Sequence, residues 1–462
     1  MKQSARTGAH PPQQFIRTAD RPVAVLVHAA FWLAVGVVVI AAPFVVIATG
    51  RDLPAPTSVL WDFAMGCGFA ALALAAAQFA LTGRIRMLTA PFGADIIYVF
   101  HRFLSWGVLG LMLLHFAVLY IWYQPALGDL NPLTARWELT VGRFALVCFV
   151  LLIVTSELRK RLKIDYYWWR VMHVLLAVAG FAAAVAHVLG VGNYTSADNA
   201  RALWLGVTLV WVGFIIWSRL LRPAMLWRNS WRVTGNVAER GGVRTLTLRP
   251  EGQPLRAWKA GQFAWLSVGH APWAMKDHPF TISTAPDLGD EIAFSIKPLG
   301  DDSERLTQVK PGALAYVDGP FGTFSVDREA DAAGFVMIAG GVGITPVIAN
   351  LTALHARKDP RPVILIYANP TLDAAAFRED LDAMAADMNL TIVHVPEEPP
   401  ADWDAESGFI DADLLARCLP NETLDWPHML CGPAPMLEAA TKALRESGVP
   451  ARRISFEIFE MV

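Results

Sequence analysis

Four histidines stand inside long apolar runs of this 462-residue chain: His101 and His115 in one run, His173 and His187 in another, each pair fourteen residues apart. An ionisable side chain in a membrane-length apolar run is costly and marks a functional position. On a helix, fourteen residues return to within about 40° of the same face and advance about 21 Å. Each run therefore offers two imidazoles on one stripe, one toward each end. Neutral imidazole is a good axial ligand for haem iron, and a macrocycle fits between the helices of a bundle. Pairing in order, His101 with His173 and His115 with His187, gives two bis-histidine sites stacked across a bilayer. Zinc or non-haem iron fits less well, because no carboxylate or cysteine stands beside these histidines to complete a site. His28, alone in the first apolar run, reads as a packing residue, and Phe181 reads either as packing or as an aromatic bridging the two sites.

A second set of residues lies beyond residue 222. His278-Pro279-Phe280-Thr281-Ile282-Ser283 sets an aromatic beside a hydroxyl, able to stack on a planar ring and hydrogen-bond its edge. Lys297-Pro298-Leu299-Gly300-Asp301-Asp302-Ser303 follows, with Gly300 and Ser303 at a turn that can approach a pyrophosphate. Gly340-Gly341-Val342-Gly343-Ile344-Thr345-Pro346 leaves an apolar strand and enters a helical run, a turn whose backbone and helix N-terminus suit a diphosphate. It is not the six-residue GxGxxG fingerprint, since Pro346 stands in place of the last glycine. Finally, His428-Met429-Leu430-Cys431-Gly432-Pro433 ends a strand on a thiol and a tight turn. The other cysteines, Cys67, Cys148 and Cys418, form no CxxC pair with it, so neither a disulfide framework nor a thiolate metal site is indicated.

The elements that must position these residues follow from composition. The chain is 54% hydrophobic and only 17% charged, with a mean hydropathy of +0.38, too apolar for an ordinary soluble enzyme. Up to Arg222 there are 18 Lys and Arg against 9 Asp and Glu, whereas the remainder is net acidic. Six apolar stretches precede that point: Val23–Ala48, Thr57–Leu81, Ile97–Tyr120, Leu139–Ser156, Trp168–Leu189 and Ala202–Leu220. Each approaches or exceeds the length a helix needs to span hydrocarbon, and the first is too long for a cleaved signal. Basic residues gather before the first stretch, between the second and third, between the fourth and fifth, and after the sixth. The positive-inside rule then places those loops, both termini and the acidic half in the cytoplasm of a multi-pass cell-membrane protein. The acidic half has no membrane-length run, which disfavours an all-membrane transporter, and no basic patch suits a nucleic acid.

Short period-two runs at Trp231–Ala238, Val243–Leu248, Gln262–Val268, Glu291–Ile296 and Ala315–Val317 predict an antiparallel β-barrel. Strands at Gly334–Ala339, Pro362–Ala368 and Thr391–Val395, alternating with helical runs, predict a Rossmann-like α/β unit. The expected division is a six-helix membrane domain over 1–222, a barrel domain over 223–328 and a nucleotide-binding domain over 329–462.

In this order and spacing, the motifs resemble the NADPH oxidase and ferric reductase family of flavocytochromes b over nearly the whole chain. The resemblance implies two b-type haems held by His101/His173 on the inner side and His115/His187 on the outer. It implies FAD held by His278, Pro279, Phe280, Thr281 and Ser283, with Lys297, Gly300 and Ser303 at its phosphates. NADPH or NADH would be held by Gly340, Gly341, Gly343, Thr345, Pro346, Cys431, Gly432 and Pro433, with Cys431 near the hydride-transferring carbon. Glu457 and Phe459 resemble the C-terminal ending of such reductases, where an aromatic covers the flavin. The arginine that soluble relatives preferring NADPH usually carry shortly after the second nucleotide strand is missing at Tyr367-Ala368-Asn369-Pro370, and Arg361, Arg378 or Lys358 are the substitutes at hand. The implied function is electron transfer from cytoplasmic NAD(P)H to an outer acceptor. That acceptor is O2 going to superoxide, a ferric chelate, or an extracytoplasmic protein.

Overall fold

In lipid, backbone N–H and C=O groups can be satisfied only within the segment itself, so the apolar runs become helices. They are α1 (Arg21–Ala48), α2 (Val59–Thr82), α3 (Ala94–Trp122), α4 (Trp137–Glu157), α5 (Tyr166–Val191) and α6 (Asp198–Ile216). The structure, a computed structural model, describes residues 21–49, 58–85 and 94–457. Among these, five stretches are long and apolar enough to cross a membrane: Val59–Thr82, Ile97–Trp122, Trp137–Glu157, Tyr166–Val191 and Asp198–Arg228. The described apolar part of α1 is shorter, Ala30–Val46.

The last stretch is longer than its apolar sequence predicts. A π-turn over Trp217–Leu221 joins α6 to Arg222–Arg228, where the Arg222 N–H reaches back to the Trp217 carbonyl. Pro223 follows and donates no hydrogen bond, so the ladder is spliced at this point while the helix continues. Inside the bundle, Phe69, Leu72, Val108, Phe181, Trp204 and Trp211 pack together. Phe103, Leu175 and Leu209 instead point outward and are exposed, an arrangement that suits lipid.

The first sheet is antiparallel, with order β4-β3-β6-β1-β2-β5. Its strands are β1 (Trp231–Ala238), β2 (Arg244–Pro250), β3 (Phe263–Val268), β4 (His278–Thr281), β5 (Ile292–Ile296) and β6 (Leu314–Phe321). One isolated bridge, Ile282 to Phe294, links its two edge strands. The core holds Trp231, Leu246, Leu248, Leu266, Ile282 and Phe294.

The second sheet is parallel, with order β11-β10-β7-β8-β9. Its strands are β7 (Phe335–Gly340), β8 (Val363–Asn369), β9 (Leu390–Pro396), β10 (His428–Cys431) and β11 (Ile454–Glu457). Helix α7 (Ile344–Ala356) follows β7, and α8 (Ala434–Glu446) follows β10. Strand order reverses between β7 and β10, and in doubly wound sheets ligands bind at the carboxyl ends of the strands flanking such a point. Both the Gly340 turn and the Cys431 turn lie there.

Candidate functional site

The four histidines line two cavities in the bundle. His115 and His187 face one, together with Gly68, Leu72, Met112, Gly142 and Phe149. His101 and His173 face the other, with Gln78, Ser105, Ser218, Arg219 and Phe149. The two rings of the second pair lie 6.3 Å apart between centroids.

Three of the four imidazoles are oriented through Nδ1. His115 Nδ1 lies 2.8 Å from the Ala64 carbonyl and His187 Nδ1 lies 2.8 Å from the Glu138 carbonyl. A carbonyl only accepts, so each Nδ1 carries the proton and each Nε2 is left with its lone pair. His173 Nδ1 lies 3.2 Å from Ser156 Oγ. The hydroxyl hydrogen of Ser156 goes to Leu152 O at 2.7 Å, and Trp169 Nε1 donates to its oxygen at 3.3 Å. Ser156 therefore accepts from His173 as well, which leaves Nε2 bare there too. A second-shell acceptor on the far ring nitrogen is the usual companion of a metal-bound imidazole. His101 Nδ1 is buried without a hydrogen-bond partner.

Glycines make room for these rings. A Cβ at Gly142 would lie 2.6 Å from His187 Nδ1, and one at Gly68 would lie 3.3 Å from His115 Nδ1. The residues fit planar groups ligated from both sides. Phe181 lines neither cavity: it is fully buried against Trp211, with ring centroids 4.7 Å apart, and against Phe79. Phe149 lines both cavities instead.

In the reductase half, register brings the predicted residues toward one cleft. Thr281 pairs with Phe263, and Phe263 pairs with Phe321. Phe321 is followed by Gly322, where an added Cβ would lie 3.5 Å from Glu457 Oε1. Glu457 is in register with Cys431, which is in register with Ala339 at the end of β7. Thr281 Oγ1 is buried without a hydrogen-bond partner among the described residues. Phe280 and Pro279 are half-buried beside it.

His278 Nε2 lies 3.2 Å from Asp302 Oδ2. Burial holds its pKa below the ordinary value although Asp302 pulls the other way. Ser303 Oγ accepts from the N–H groups of Leu299 and Gly300 at 2.9 and 3.0 Å, closing the turn that Lys297 leads into. The Ser283 hydroxyl accepts from Ser295 Oγ at 2.8 Å.

At the switch point, Gly340, Gly343 and Gly432 are required by crowding. A Cβ on Gly340 would meet Met436 Sδ at 2.6 Å and Pro433 Cδ at 2.9 Å, and one on Gly343 would strike the Cys431 carbonyl. Gly341 has φ +52 and open space where a Cβ would point. The first residues of α7 have no side-chain cap, since Thr345 donates to Val342 O at 3.1 Å, so the helix N-terminus stays open to an anion. Pro346 is buried. The Cys431 thiol is fully buried and its pKa is pushed well up, first by burial and then by the Glu457 carboxylate. Phe459 lies outside the described residues.

Of the three cations considered for a 2′-phosphate, Lys358 and Arg361 precede β8 and lie at the opposite end of the strand from the switch point. Arg361 is also ion-paired with Asp359 at 2.5 Å. Arg378 is on the correct side, after β8.

The halves meet at a charged junction that sequence motifs did not announce. Arg84, Arg170 and Arg222, from the bundle, converge on Asp277 and Asp318 of the antiparallel sheet. Burial opposes ionisation of Asp277, but Arg84 and Arg170 hold its carboxyl well below the usual range. Burial likewise opposes the charge on Arg84, and Asp277 with Asp318 raises its pKa above the ordinary value.

Comparison with known proteins matches residues 67–185 to the ferric reductase like transmembrane component and residues 337–442 to the oxidoreductase NAD-binding domain. That pairing is consistent with a flavocytochrome of the ferric reductase and NADPH oxidase type. NADH-cytochrome b5 reductase 1 of Pyricularia oryzae is 34% identical over 191 residues, 38% of this chain and 62% of that protein. A flavohemoprotein of Bordetella pertussis is 28% identical over 251 residues, 50% of this chain and 60% of that protein. The chain thus spans about three fifths of these curated relatives. Among solved structures, the ferredoxin reductase in carbazole 1,9a-dioxygenase is 26% identical with a TM-score of 0.42, covering 50% of this chain and 69% of that one. A flavohemoglobin from Malassezia yamatoensis is 16% identical with a TM-score of 0.47, covering 88% of this chain and all of that one.

Proposed function

We propose that this membrane oxidoreductase moves electrons from NAD(P)H, bound in the parallel-sheet unit, across the bilayer to an acceptor on the outer side. The reading carries six membrane spans, with α1 as the first, followed by a barrel-type flavin unit and a nucleotide unit on the cytoplasmic side. The observation that supports it most directly is the set of four imidazoles in two cavities, three of them, His115, His173 and His187, with Nδ1 hydrogen-bonded and Nε2 bare. FAD, when bound, takes two electrons together and releases them singly, and bis-histidine haem iron passes one at a time.

The chain's own residues do the rest. Gly340, Gly341, Gly343 and the α7 N-terminus cradle the dinucleotide diphosphate. Cys431, Gly432 and Pro433 wall the nicotinamide, and a buried, protonated thiol keeps charge away from the departing hydride. Thr281 offers its hydroxyl to the flavin edge, Phe280 its face, and His278 with the Lys297–Ser303 turn contacts the cofactor's polar end. Glu457 closes the cleft beside Cys431. His101 with His173, and His115 with His187, would hold the two haems through their imidazole nitrogens. For each NAD(P)H oxidised to NAD(P)+, two acceptors each take one electron and one proton is released in the cytoplasm.

If His115 and His187 both held the outer group, an acceptor would meet it without binding the iron, and such outer-sphere reduction suits O2 and a ferric chelate equally well. O2 going to superoxide is the first candidate. A ferric chelate is the second candidate and an extracytoplasmic redox protein the third. β8 ends on neutral Asn369, and the relatives described above include an NADH-cytochrome b5 reductase, so NADH is the favoured donor.

A reduced-minus-oxidised spectrum of the full chain tests the core of this reading. The expected result is b-type absorbance that falls when His115 or His187 is replaced by leucine; undiminished absorbance overturns it. Turnover in air, followed by cytochrome c reduction with and without superoxide dismutase and by ferric citrate reduction, separates the acceptors.

A further inference from the structure

The bundle and the reductase half are joined by five charged side chains, each only 13% to 20% exposed. Arg84 follows α2, Arg170 is on α5, and Arg222 follows the π-turn after α6. Arg84 Nη1 lies 2.5 Å from Asp277 Oδ2 and 3.1 Å from Asp318 Oδ2. Arg170 Nη1 lies 2.6 Å from Asp277 Oδ1, and Arg222 Nη2 lies 2.6 Å from Asp318 Oδ2. The fit extends to the backbone: Arg170 also donates to Met275 O at 3.0 Å, and Arg222 to Gly83 O at 3.3 Å. The Arg84 guanidinium rests 3.6 Å from the centre of the Trp265 ring.

Desolvating five ions roughly offsets their attraction, so such a cluster adds little net stability. Removing one partner, however, leaves a buried charge uncompensated. The cluster therefore penalises every relative placement of the two halves except one. Its location matters for the same reason. Asp277 immediately precedes His278-Pro279-Phe280-Thr281, and Arg170 stands three residues, about one turn, before His173. A single ion pair thus ties the flavin-motif strand to the helix that carries an inner iron ligand.

We propose that Arg84, Arg170, Arg222, Asp277 and Asp318 are positioning residues, a clamp that holds strand β4 at a fixed separation from the His173 helix. This rests on the function proposed above, because the separation matters only if electrons cross it. Electron transfer falls steeply with distance, so a clamp that keeps β4 from drifting controls that step without touching the reacting atoms.

The test uses the full chain in detergent or lipid discs, with Arg170→Gln, Asp277→Asn, and Arg249→Gln as control. Arg249 pairs with Glu291 at 2.6 Å on the exposed side of the sheet. Hydrogen exchange of the amides over 275–281 is read first, and it needs no bound cofactor. Exchange should quicken in the Arg170→Gln and Asp277→Asn variants and stay unchanged in the control. In stopped flow, NADH-driven haem reduction should slow by about 10- to 100-fold in the single variants, while direct reduction of ferricyanide by the reductase half keeps its rate.

If the native chain reduces haem and the single variants match it in both rate and exchange, the clamp is wrong and the function stands. If the native chain never reduces haem with NADH, the function fails and the positioning role falls with it. Should the neutral variants fail to fold, Arg222→Lys keeps the charge but loses the planar fork. It should show the same changes in smaller measure, and native behaviour there would overturn the clamp.

Discussion

The pairs His101/His173 and His115/His187, inner and outer on the function proposed above, share a spacing but not a setting. Outer His115 and His187 are each tied to a main-chain carbonyl, Ala64 O and Glu138 O, and each ring sits over a glycine. Inner His173 depends on the hydroxyl of Ser156, and His101 Nδ1 has no partner. The outer cavity is walled mostly by apolar side chains, whereas the inner one includes Gln78, Thr82, Ser105, Ser218 and Arg219. A carbonyl within a helix cannot rotate away, but a hydroxyl can. The lesson is that the outer site is oriented by backbone and the inner site by side chains, next to a charged junction.

The comparison can be broken most directly at the ligands. His187→Leu should empty the outer site and leave the inner one, and His173→Leu should do the reverse. Haem content per chain, measured as the pyridine haemochromogen, should fall by about half in each variant. Loss of both groups from either substitution would show that the sites are not separable.

Gly142→Ala comes next. Its new methyl would lie 2.6 Å from His187 Nδ1, forcing the ring off the Glu138 carbonyl. Retention of the outer group should weaken by about 10- to 100-fold, the scale of second-shell losses. Gly68→Ala, with 3.3 Å to His115, should have the milder effect. The reverse ranking would mean that backbone orientation is not what holds the outer site.

Ser156→Ala tests the inner setting. It removes the side-chain acceptor on His173 Nδ1, so inner retention should weaken by about tenfold, at the low end of that scale. An unchanged inner midpoint potential and haem content would place His173's orientation elsewhere.

The smallest effect concerns pH. The Asp277 carboxyl is held below its ordinary value in the folded chain, so its contribution to the junction is complete above the unfolded carboxylate pKa of about 4 and fades as pH falls below it. Hydrogen exchange over 275–281 should therefore be flat from pH 7 to 5, after correction for intrinsic rates, and rise in acid. The same measurement over the first turn of α4, where Glu138 pairs with the exposed Arg136, should show a weaker rise, because an ion pair with an exposed partner contributes little.

Much of this was legible in the sequence because it depends on local periodicity. The four histidines share stripes because helices repeat every 3.6 residues, and strands such as Trp231–Ala238 alternate because strands repeat every two. The glycine-rich turn after β7 and the thiol turn after β10 each follow from their own few residues. Other features came from neighbours distant in the chain. The Ser283 hydroxyl meets that of Ser295, twelve residues on, at 2.8 Å. Phe149, not Phe181, lines both cavities because α4 presents it there while α5 turns Phe181 toward Trp211.

What the sequence by itself determined is therefore the inventory: apolar runs of membrane length, the paired histidines, the glycine turns and the excess of basic residues at one end of the helices. Tertiary structure alone decided the partnerships. The parallel strand order β11-β10-β7-β8-β9 sets Cys431 beside Ala339, more than ninety residues away. Helix packing sets Gly142 against His187, and docking sets Asp277 and Asp318 among three arginines. The physical reason is range. Backbone geometry acts between residues a few positions apart, whereas hydrogen bonds, close contacts and buried ion pairs act through space and become readable only once the chain has brought their members together.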